Sequence, residues 1–280
     1  MRVFVTGAGG QVGREVVAAL RDHDVIATGH ASLDVSDRDA VLQAVTTSVP
    51  DAIVHLAAWT AVDACEADAD RAFRVNALGT RHVTDAARRV GARVCYLSTD
   101  YVFDGTNPDP YVEWDVPHPV SVYGASKYGG EREVDPDGTI IRTSWVCGRH
   151  GHNMVKTILR LAADCKELSF VDDQRGHPTF AQDLAPMIVR LVVERRPGLY
   201  HVTNQGVASW YEFARAVFDA AGLDASRVRP IATADLEPPR PAPRPTNSVL
   251  DNAALRLSRL AMLPYFGDSL ESLVTELIRA

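Results

Sequence analysis

A run of glycines set between a strand and a helix narrows the folds open to this chain more than any other feature. Thr6-Gly-Ala-Gly-Gly-Gln-Val-Gly13 follows the apolar run Arg2–Val5 at once and opens a helical pattern over about 11–20, with Gly7, Gly10 and Gly13 in GxxGxxG spacing. A tight strand-to-helix turn of this kind belongs to a βαβ unit, and such units build parallel sheets covered on both faces. Amides at the start of the helix would meet a pyrophosphate that the glycines allow to approach closely. Gly7, Gly10, Gln11, Val12 and Gly13 are therefore candidate dinucleotide ligands, with a ligand-free glycine turn as the competing reading.

The alternation continues well beyond this turn. Strands are expected at Val25–Ala27, Ala52–Leu56, Arg93–Leu97 and Thr139–Arg142, with helices at about 37–48 behind a cap at Ser36, 69–90 and 121–134. Further on, Met154–Asp164 and Asp183–Glu194 read as helices and Leu199–Val202 as a strand. Ser209–Ala221 reads as a helix with Ser209 and Glu212 at capping-box spacing, and a last helix covers about 268–279. The pattern predicts an α/β, Rossmann-type doubly wound parallel sheet. Residues 237–247 carry five prolines, which forbid helix and leave a linker or a segment draped over the surface.

A chain of 280 residues with 46% hydrophobic and 23% charged residues can bury a substantial core. Its formal charge of −7, with both signs well mixed, argues against nucleic acid as a partner. Cys65, Cys95, Cys147 and Cys165 show no CxxC pair, which fits reduced thiols in a cytoplasm better than zinc or a disulfide framework; no metal is expected. Val3-Phe4-Val5 is too short for the apolar part of a signal peptide, and no span of about 20 apolar residues follows, so neither export nor a membrane is expected.

The candidate chemistry lies after the strands. The second strand ends Ala27-Thr28-Gly29-His30, without the carboxylate that would hold ribose hydroxyls and repel a 2′-phosphate. That favours NADPH over NADH, with His30 or Arg14 as contacts for the phosphate. Asp34-Val35 either places a carboxylate beside the adenine or begins a turn. Ser98-Thr99-Asp100 follows the fourth strand at the edge where open α/β sheets bind ligands, and its hydroxyls could meet a carbonyl oxygen. Tyr123 and Lys127 stand four apart, on one face of a helix, where the ammonium would lower the phenol's pKa and make a general acid–base. Helices carry that pair by chance as well, so its weight comes from the company it keeps.

Taken in order, TGxxGxxG, Ser98-Thr99 and Tyr123-Gly-Ala-Ser-Lys127 resemble the extended short-chain dehydrogenase/reductase family, and the resemblance narrows to the dTDP-4-dehydrorhamnose reductase group. The narrowing rests on Gly10–Gly13, His55-Leu-Ala-Ala-Trp-Thr-Ala-Val-Asp63, Ser98–Gly105, Tyr123–Lys127 with Gly130-Glu131, Arg142-Thr-Ser-Trp145, Asp173–Thr179 with Asp183-Leu-Ala185, and Arg244–Asp251. The resemblance implies that Tyr123 donates the proton, that Lys127 tunes it and binds the nicotinamide ribose, and that Thr99 orients a keto oxygen. It implies cofactor contacts from Ala57, Ala58, Trp59 and Thr60, and sugar contacts from Asp100 and Trp145. Arg244 and the proline-rich stretch would lie near the nucleotide or its phosphates, and Asn76 matches a helix asparagine used near the lysine. Trp59, Cys147 and Tyr128 depart from the side chains common in relatives and bear on pocket shape.

The reading is thus a dinucleotide-binding domain over 1–145, completed by about 180–205, with a smaller α/β substrate-binding part interleaved from 146–178 and 206–280, including the C-terminal helix. The expected activity is NADPH-dependent reduction, with NADH as the alternative cofactor, of the C4 keto group of a nucleotide-linked 4-keto-6-deoxyhexose. A homodimer is compatible with it. The alternatives are a nucleotide-sugar epimerase or dehydratase of the same fold, and a regulatory subunit resembling the β subunit of methionine adenosyltransferase. Dehydratases of the extended family commonly place Asp-Glu after the threonine, whereas Thr99 is followed by Asp100-Tyr101.

Overall fold

The computed structural model describes residues 1–279. Its first half runs β1 (Arg2–Thr6), α1 (Gln11–Ala19), β2 (Asp24–Thr28), α2 (Arg38–Ser48), β3 (Ala52–His55), α3 (Val62–Ala67), α4 (Ala69–Phe73), a π-helical turn Arg74–Leu78, α5 (Gly79–Val90), β4 (Arg93–Thr99), α6 (Val122–Glu131) and β5 (Thr139–Thr143). The second half runs β6 (Val146–Cys147), α7 (Met154–Asp164), β7 (Leu168–Val171), β8 (Arg175–Gly176), β9 (Thr179–Phe180), α8 (Ala181–Val193), β10 (Gly198–His201), β11 (Ala208–Ser209), α9 (Trp210–Ala220), β12 (Val228–Ile231), α10 (Ala253–Leu257) and α11 (Phe266–Arg279).

Six strands form one parallel sheet in the order β10-β5-β4-β3-β1-β2. Successive side chains of a strand point to opposite faces, so a strand buried on both reads as an unbroken apolar run. Val3 and Val5 enter a core with Val16 of α1, Leu20 at its C-terminal cap, and Leu184, Ile188 and Leu191 of α8. Phe4, between them, enters the opposite core with Val41 and Val45 of α2 and Val83 of α5. A third apolar cluster lies off the sheet, where Val155 and Ile158 of α7, Phe213 and Val217 of α9, and Leu270 and Val274 of α11 meet. Three two-stranded ladders border it: β7 with β12, β8 with β11, and β6 with β9.

Two local expectations are corrected, and one left open is decided. The continuous helix over 69–90 is interrupted by the π turn, which turns Asn76 fully inward. The cap of α2 is Asp37, whose carboxylate accepts from the amides of Asp39 and Ala40, while Ser36 donates to Asp34. The proline-rich segment is no linker: it lies against the first half of the chain, with Thr246 Oγ1 donating to Gly105 O at 2.9 Å and Arg244 reaching Asp63. The capping box at Ser209 and Glu212 forms as expected. Among the described residues no helix is long and apolar enough to cross a membrane, no group of three metal-ligating side chains gathers, and all four cysteines are free.

Candidate active site

Order β2-β1-β3 means that the chain leaves β1 and β3 in different directions, and the crevice so formed opens at the carboxyl ends of the strands. Two adjoining chambers occupy it, sharing Gly7, Gly10, Leu56 and Ala58 as walls. The turn after β1 requires its glycines. Gly7 sits at φ +67, where a Cβ would lie 2.7 Å from Ala57 N, and a Cβ on Gly13 would lie 2.2 Å from Gly7 O. Any side chain there would push the loop off the neighbouring strand or break the first turn of α1, so the bare backbone left facing the crevice is a cradle that fits a pyrophosphate.

The loop after β3 is fixed to this turn from below. Thr6 Oγ1 accepts from the amides of Leu56 and Ala57 and meets His55 Nδ1 at 2.7 Å. Burial pushes the His55 imidazole down to about 3, so it is neutral. Thr80 Oγ1 donates to Asn76 O, which leaves it to accept from His55 Nε2 at 3.2 Å; Nδ1 therefore accepts from Thr6. Asn76 holds the same loop from above, accepting from Trp59 N at 2.8 Å and donating to Trp59 O at 3.1 Å and Ser126 Oγ at 2.9 Å. Ser126 donates to Tyr123 O, which links the loop to the helix bearing Tyr123 and Lys127.

That helix is seated on the sheet by a buried charge pair. Glu131 accepts from Arg142 Nε at 2.9 Å, from Arg142 Nη2 at 2.7 Å and from Ser98 Oγ at 2.6 Å, with both charged side chains almost wholly out of solvent. Its start is capped by Ser121, whose Oγ accepts from Gly124 N.

The first chamber, about 440 Å³, is walled by Gly7, Gly10, Gln11, Val12, Gly13, Thr60, Thr99, Asp100, Tyr123, Lys127 and Trp145 among the residues expected from sequence. Lys127 Nζ donates to Leu97 O at 2.7 Å and lies 4.1 Å above the Tyr96 ring; burial brings its ammonium down to about 7. The expected lowering of the Tyr123 phenol does not occur. Burial pushes its pKa up, opposed by the Thr99 hydroxyl and reinforced by the charge of Asp100, while the Lys127 amine is directed at Leu97 O in the sheet. Thr99 Oγ1 donates to Asp100 Oδ1 at 3.0 Å and accepts from Tyr101 N at 3.2 Å. Burial pushes the Asp100 carboxyl up to about 7, opposed first by the nearby Ser248 hydroxyl and then by Thr99; Asp100 Oδ2 and Thr143 Oγ1, both on the wall, have no partner in full hydrogen-bonding geometry.

Trp145, in left-handed backbone at φ +45, stacks on Trp210 with ring centroids 3.6 Å apart and planes 9° apart. Trp210, Tyr101 and Thr143 were not among the residues expected from sequence. Trp210 arrives from α9 across the molecule, and no local spacing announces it, whereas Tyr101 stands directly after Thr99-Asp100 and could have been marked.

The second chamber, about 770 Å³, gathers His30, Asp34, Val35, Ala57, Ala58 and Trp59 with Arg71 and Arg74. Asp34 does begin a turn, accepting from Ser36 N and Oγ, and those bonds hold its carboxyl below the usual range. Trp59 belongs to this chamber and not to the one holding Tyr123; Arg71 covers its ring at 4.4 Å. Cys147 is buried in the α7–α9 cluster and lines neither chamber, and Tyr128 packs beside Val102, Phe103 and Tyr111. Arg14 turns back on Gly9 O. Arg244 stands outside both chambers, paired with Asp63.

Comparison with known proteins agrees along the whole chain. Residues 1–279 match the family described as RmlD substrate binding domain. The dTDP-4-dehydrorhamnose reductase of Streptomyces griseus is 43% identical over 276 residues, covering 95% of this chain and 90% of that protein. Spore coat polysaccharide biosynthesis protein SpsK of Bacillus subtilis is 41% identical over 259 residues, covering 91% and 90%. The crystal structure of dTDP-4-dehydrorhamnose reductase from Bacillus anthracis in complex with NADP superposes with a TM-score of 0.94 at 40% identity, covering 98% of this chain and 99% of that one. With the glycine turn after β1, the Thr99–Tyr123–Lys127 wall and the sheet order all in place, the chain belongs to the RmlD substrate binding domain family, the dTDP-4-dehydrorhamnose reductase group of the extended short-chain dehydrogenase/reductases.

Proposed function

We propose that this protein reduces the C4 keto group of a nucleotide-linked 4-keto-6-deoxyhexose, as dTDP-4-dehydrorhamnose reductases do, with NADPH as reductant. The observation that carries the reading is the convergence of Thr99, Tyr123 and Lys127 on the wall of a chamber that also includes the Gly7–Gly13 turn. The Gly7–Gly13 turn would hold the pyrophosphate of the dinucleotide, and His30, Asp34 and Val35 would hold its adenosine; the cofactor would supply the hydride. Thr99 turns its hydroxyl from Asp100 Oδ1 to donate to the keto oxygen, and Tyr123, kept protonated by its surroundings, gives its proton to that oxygen. Lys127, one helical turn away on the same chamber wall with its amine held on Leu97 O, takes the nicotinamide-ribose role that the resemblance assigns it. Asp100 and Thr143, with hydrogen-bonding capacity unspent, meet sugar hydroxyls, and the paired rings of Trp145 and Trp210 give the sugar a flat apolar floor. The segments 146–178 and 206–280, with their separate α7–α9–α11 cluster, supply the substrate-binding part.

An assay of NADPH oxidation against dTDP-4-keto-6-deoxysugars tests this. Turnover should consume one NADPH per sugar, which an epimerase or dehydratase would not do. Tyr123→Phe should lower kcat by about 10³-fold or more while NADPH affinity, followed by cofactor fluorescence, stays within about twofold. Undiminished kcat in the variant would remove Tyr123 from its role, and no oxidation with any such sugar would remove the reading.

A further inference from the structure

Lys127 rests on a seat of its own. Side chains of β4 alternate between the two faces of the sheet, and Tyr96 and Ser98 meet α6, on which Lys127 and Glu131 stand one turn apart. The Lys127 ammonium lies 4.1 Å from the centroid of the Tyr96 ring while Nζ donates to Leu97 O at 2.7 Å, and the Tyr96 hydroxyl donates to Lys127 O at 3.3 Å. One residue therefore meets the lysine at both its ends. The ring and its hydroxyl fit because the facing helix carries a glycine: a Cβ on Gly130 would lie 2.4 Å from the Tyr96 hydroxyl oxygen. Tyr96 is fully buried and lines neither chamber, so contact with a ligand does not account for it.

Few other charges face the ammonium. On its own helix Glu131 favours the cation, but that carboxylate is already bound by Arg142 of β5 through two nitrogens and by Ser98 of β4. His55 of β3, its ring 5.6 Å from that of Tyr96, is neutral, and Tyr123 keeps its proton. Burial works against a cation at this place, and apart from Glu131 one carbonyl and one aromatic face work for it. The face of a tyrosine ring carries the negative part of its quadrupole, so it attracts an ammonium most strongly where water is excluded. An ammonium has three donors, and Leu97 O takes one.

We propose that Tyr96 is the positioning residue of Lys127: its ring face seats the ammonium against the sheet and keeps it cationic on the chamber wall, with donors left for the cofactor ribose. Gly130 belongs to the same device, since it admits the ring. The seat follows from the packing of α6 on β4 alone, whereas its use toward the ribose rests on the reductase reading above.

The chain holds three lysines, Lys127, Lys156 and Lys166, so carbon NMR of isotope-labelled lysine side chains can follow the titration of each. Phenylalanine at position 96 carrying none, one, two or three ring fluorines weakens the ring face stepwise with little change of size. In the cofactor-free chain Tyr96→Phe should leave the Lys127 midpoint nearly where wild type has it, and the trifluoro ring should lower it by about one pH unit, with the others between. Lys156 and Lys166 should not move. Because the amine is charged below its midpoint, titration calorimetry should find NADP⁺ bound about tenfold more weakly by the trifluoro variant than by Tyr96→Phe at about pH 8.5, and within about twofold at about pH 5.5. A Lys127 midpoint indifferent to the fluorines would overturn the seat. Equal weakening of NADP⁺ at both pH values would point to displaced packing instead of lost charge and overturn the claim that the ring keeps the ammonium cationic for the ribose. A midpoint that falls while NADP⁺ affinity holds at both pH values would leave the seat standing and remove the ribose contact, and with it Lys127's part in the proposed reaction.

Discussion

Lys127 should weaken the fold it serves. The residue is 3% exposed, and burial brings its pKa from 10.5 to about 7. At pH 7 the unfolded chain therefore binds a full proton there and the folded chain about half of one. A tenfold change in proton affinity corresponds to about 1.4 kcal/mol, so the buried amine costs the fold roughly 4 kcal/mol at pH 7. Lys127→Met removes that cost and gives up one hydrogen bond to Leu97 O, worth about 1 kcal/mol. The variant should then be inactive yet more stable by about 3 kcal/mol at pH 7, or roughly 5–10 °C in Tm. The sign with pH follows from the depressed value. Between the folded pKa near 7 and the unfolded value of 10.5 the unfolded state holds more protons, so wild-type stability gains on the variant as pH rises and the advantage of Lys127→Met should nearly vanish by about pH 9.5. Urea unfolding of both proteins at pH 7 and 9.5 measures the difference directly. A variant less stable than wild type at pH 7, or an advantage that does not change with pH, would refute burial as the origin of the low pKa.

Two further substitutions test the supports of the site. Gly13→Ala places a Cβ 2.2 Å from Gly7 O, so the turn must open; NADP⁺ affinity should fall by about 100-fold or more, measured by fluorescence titration, with little loss of helical signal. Arg142→Met leaves the Glu131 carboxylate buried without its cation and should cost about 3–5 kcal/mol by urea unfolding, whereas Arg142→Met with Glu131→Leu should recover most of that loss.

What the sequence disclosed follows the range of the interactions involved. The strands of the central sheet are buried on both faces, so each shows as an apolar run whose position needs no knowledge of its partners; β1, β3 and β4 were legible for that reason. The glycine turn and the helix carrying Tyr123 and Lys127 were legible because their chemistry lies within a few residues. The short ladders β7–β12 and β8–β11 were not, since two to four residues carry no period and their partners lie tens of residues away. The same holds for the site. Thr99, Asp100, Tyr123 and Lys127 announce themselves locally, while Trp210 reaches the chamber only through the docking of α9. The electrostatics were harder still: a Tyr–Lys spacing of four suggests mutual influence, but the direction of each shift depends on the sheet that the helix is pressed against. Proline composition at 237–247 left linker and drape open, and a single carboxylate 181 residues away from Arg244 decides between them.

The π turn at Arg74–Leu78 has a consequence for how such a site can be altered. By bulging one residue inward it lets Asn76 bind the loop after β3 and the helix of Tyr123 with one side chain, so both are referred to a single point. A change that shifts the loop after β3 must then carry the helix of Tyr123 with it. Under the proposed function, cofactor contact and proton donation are referred to one side chain, and redesign of either would call for retuning Asn76 and Ser126 together.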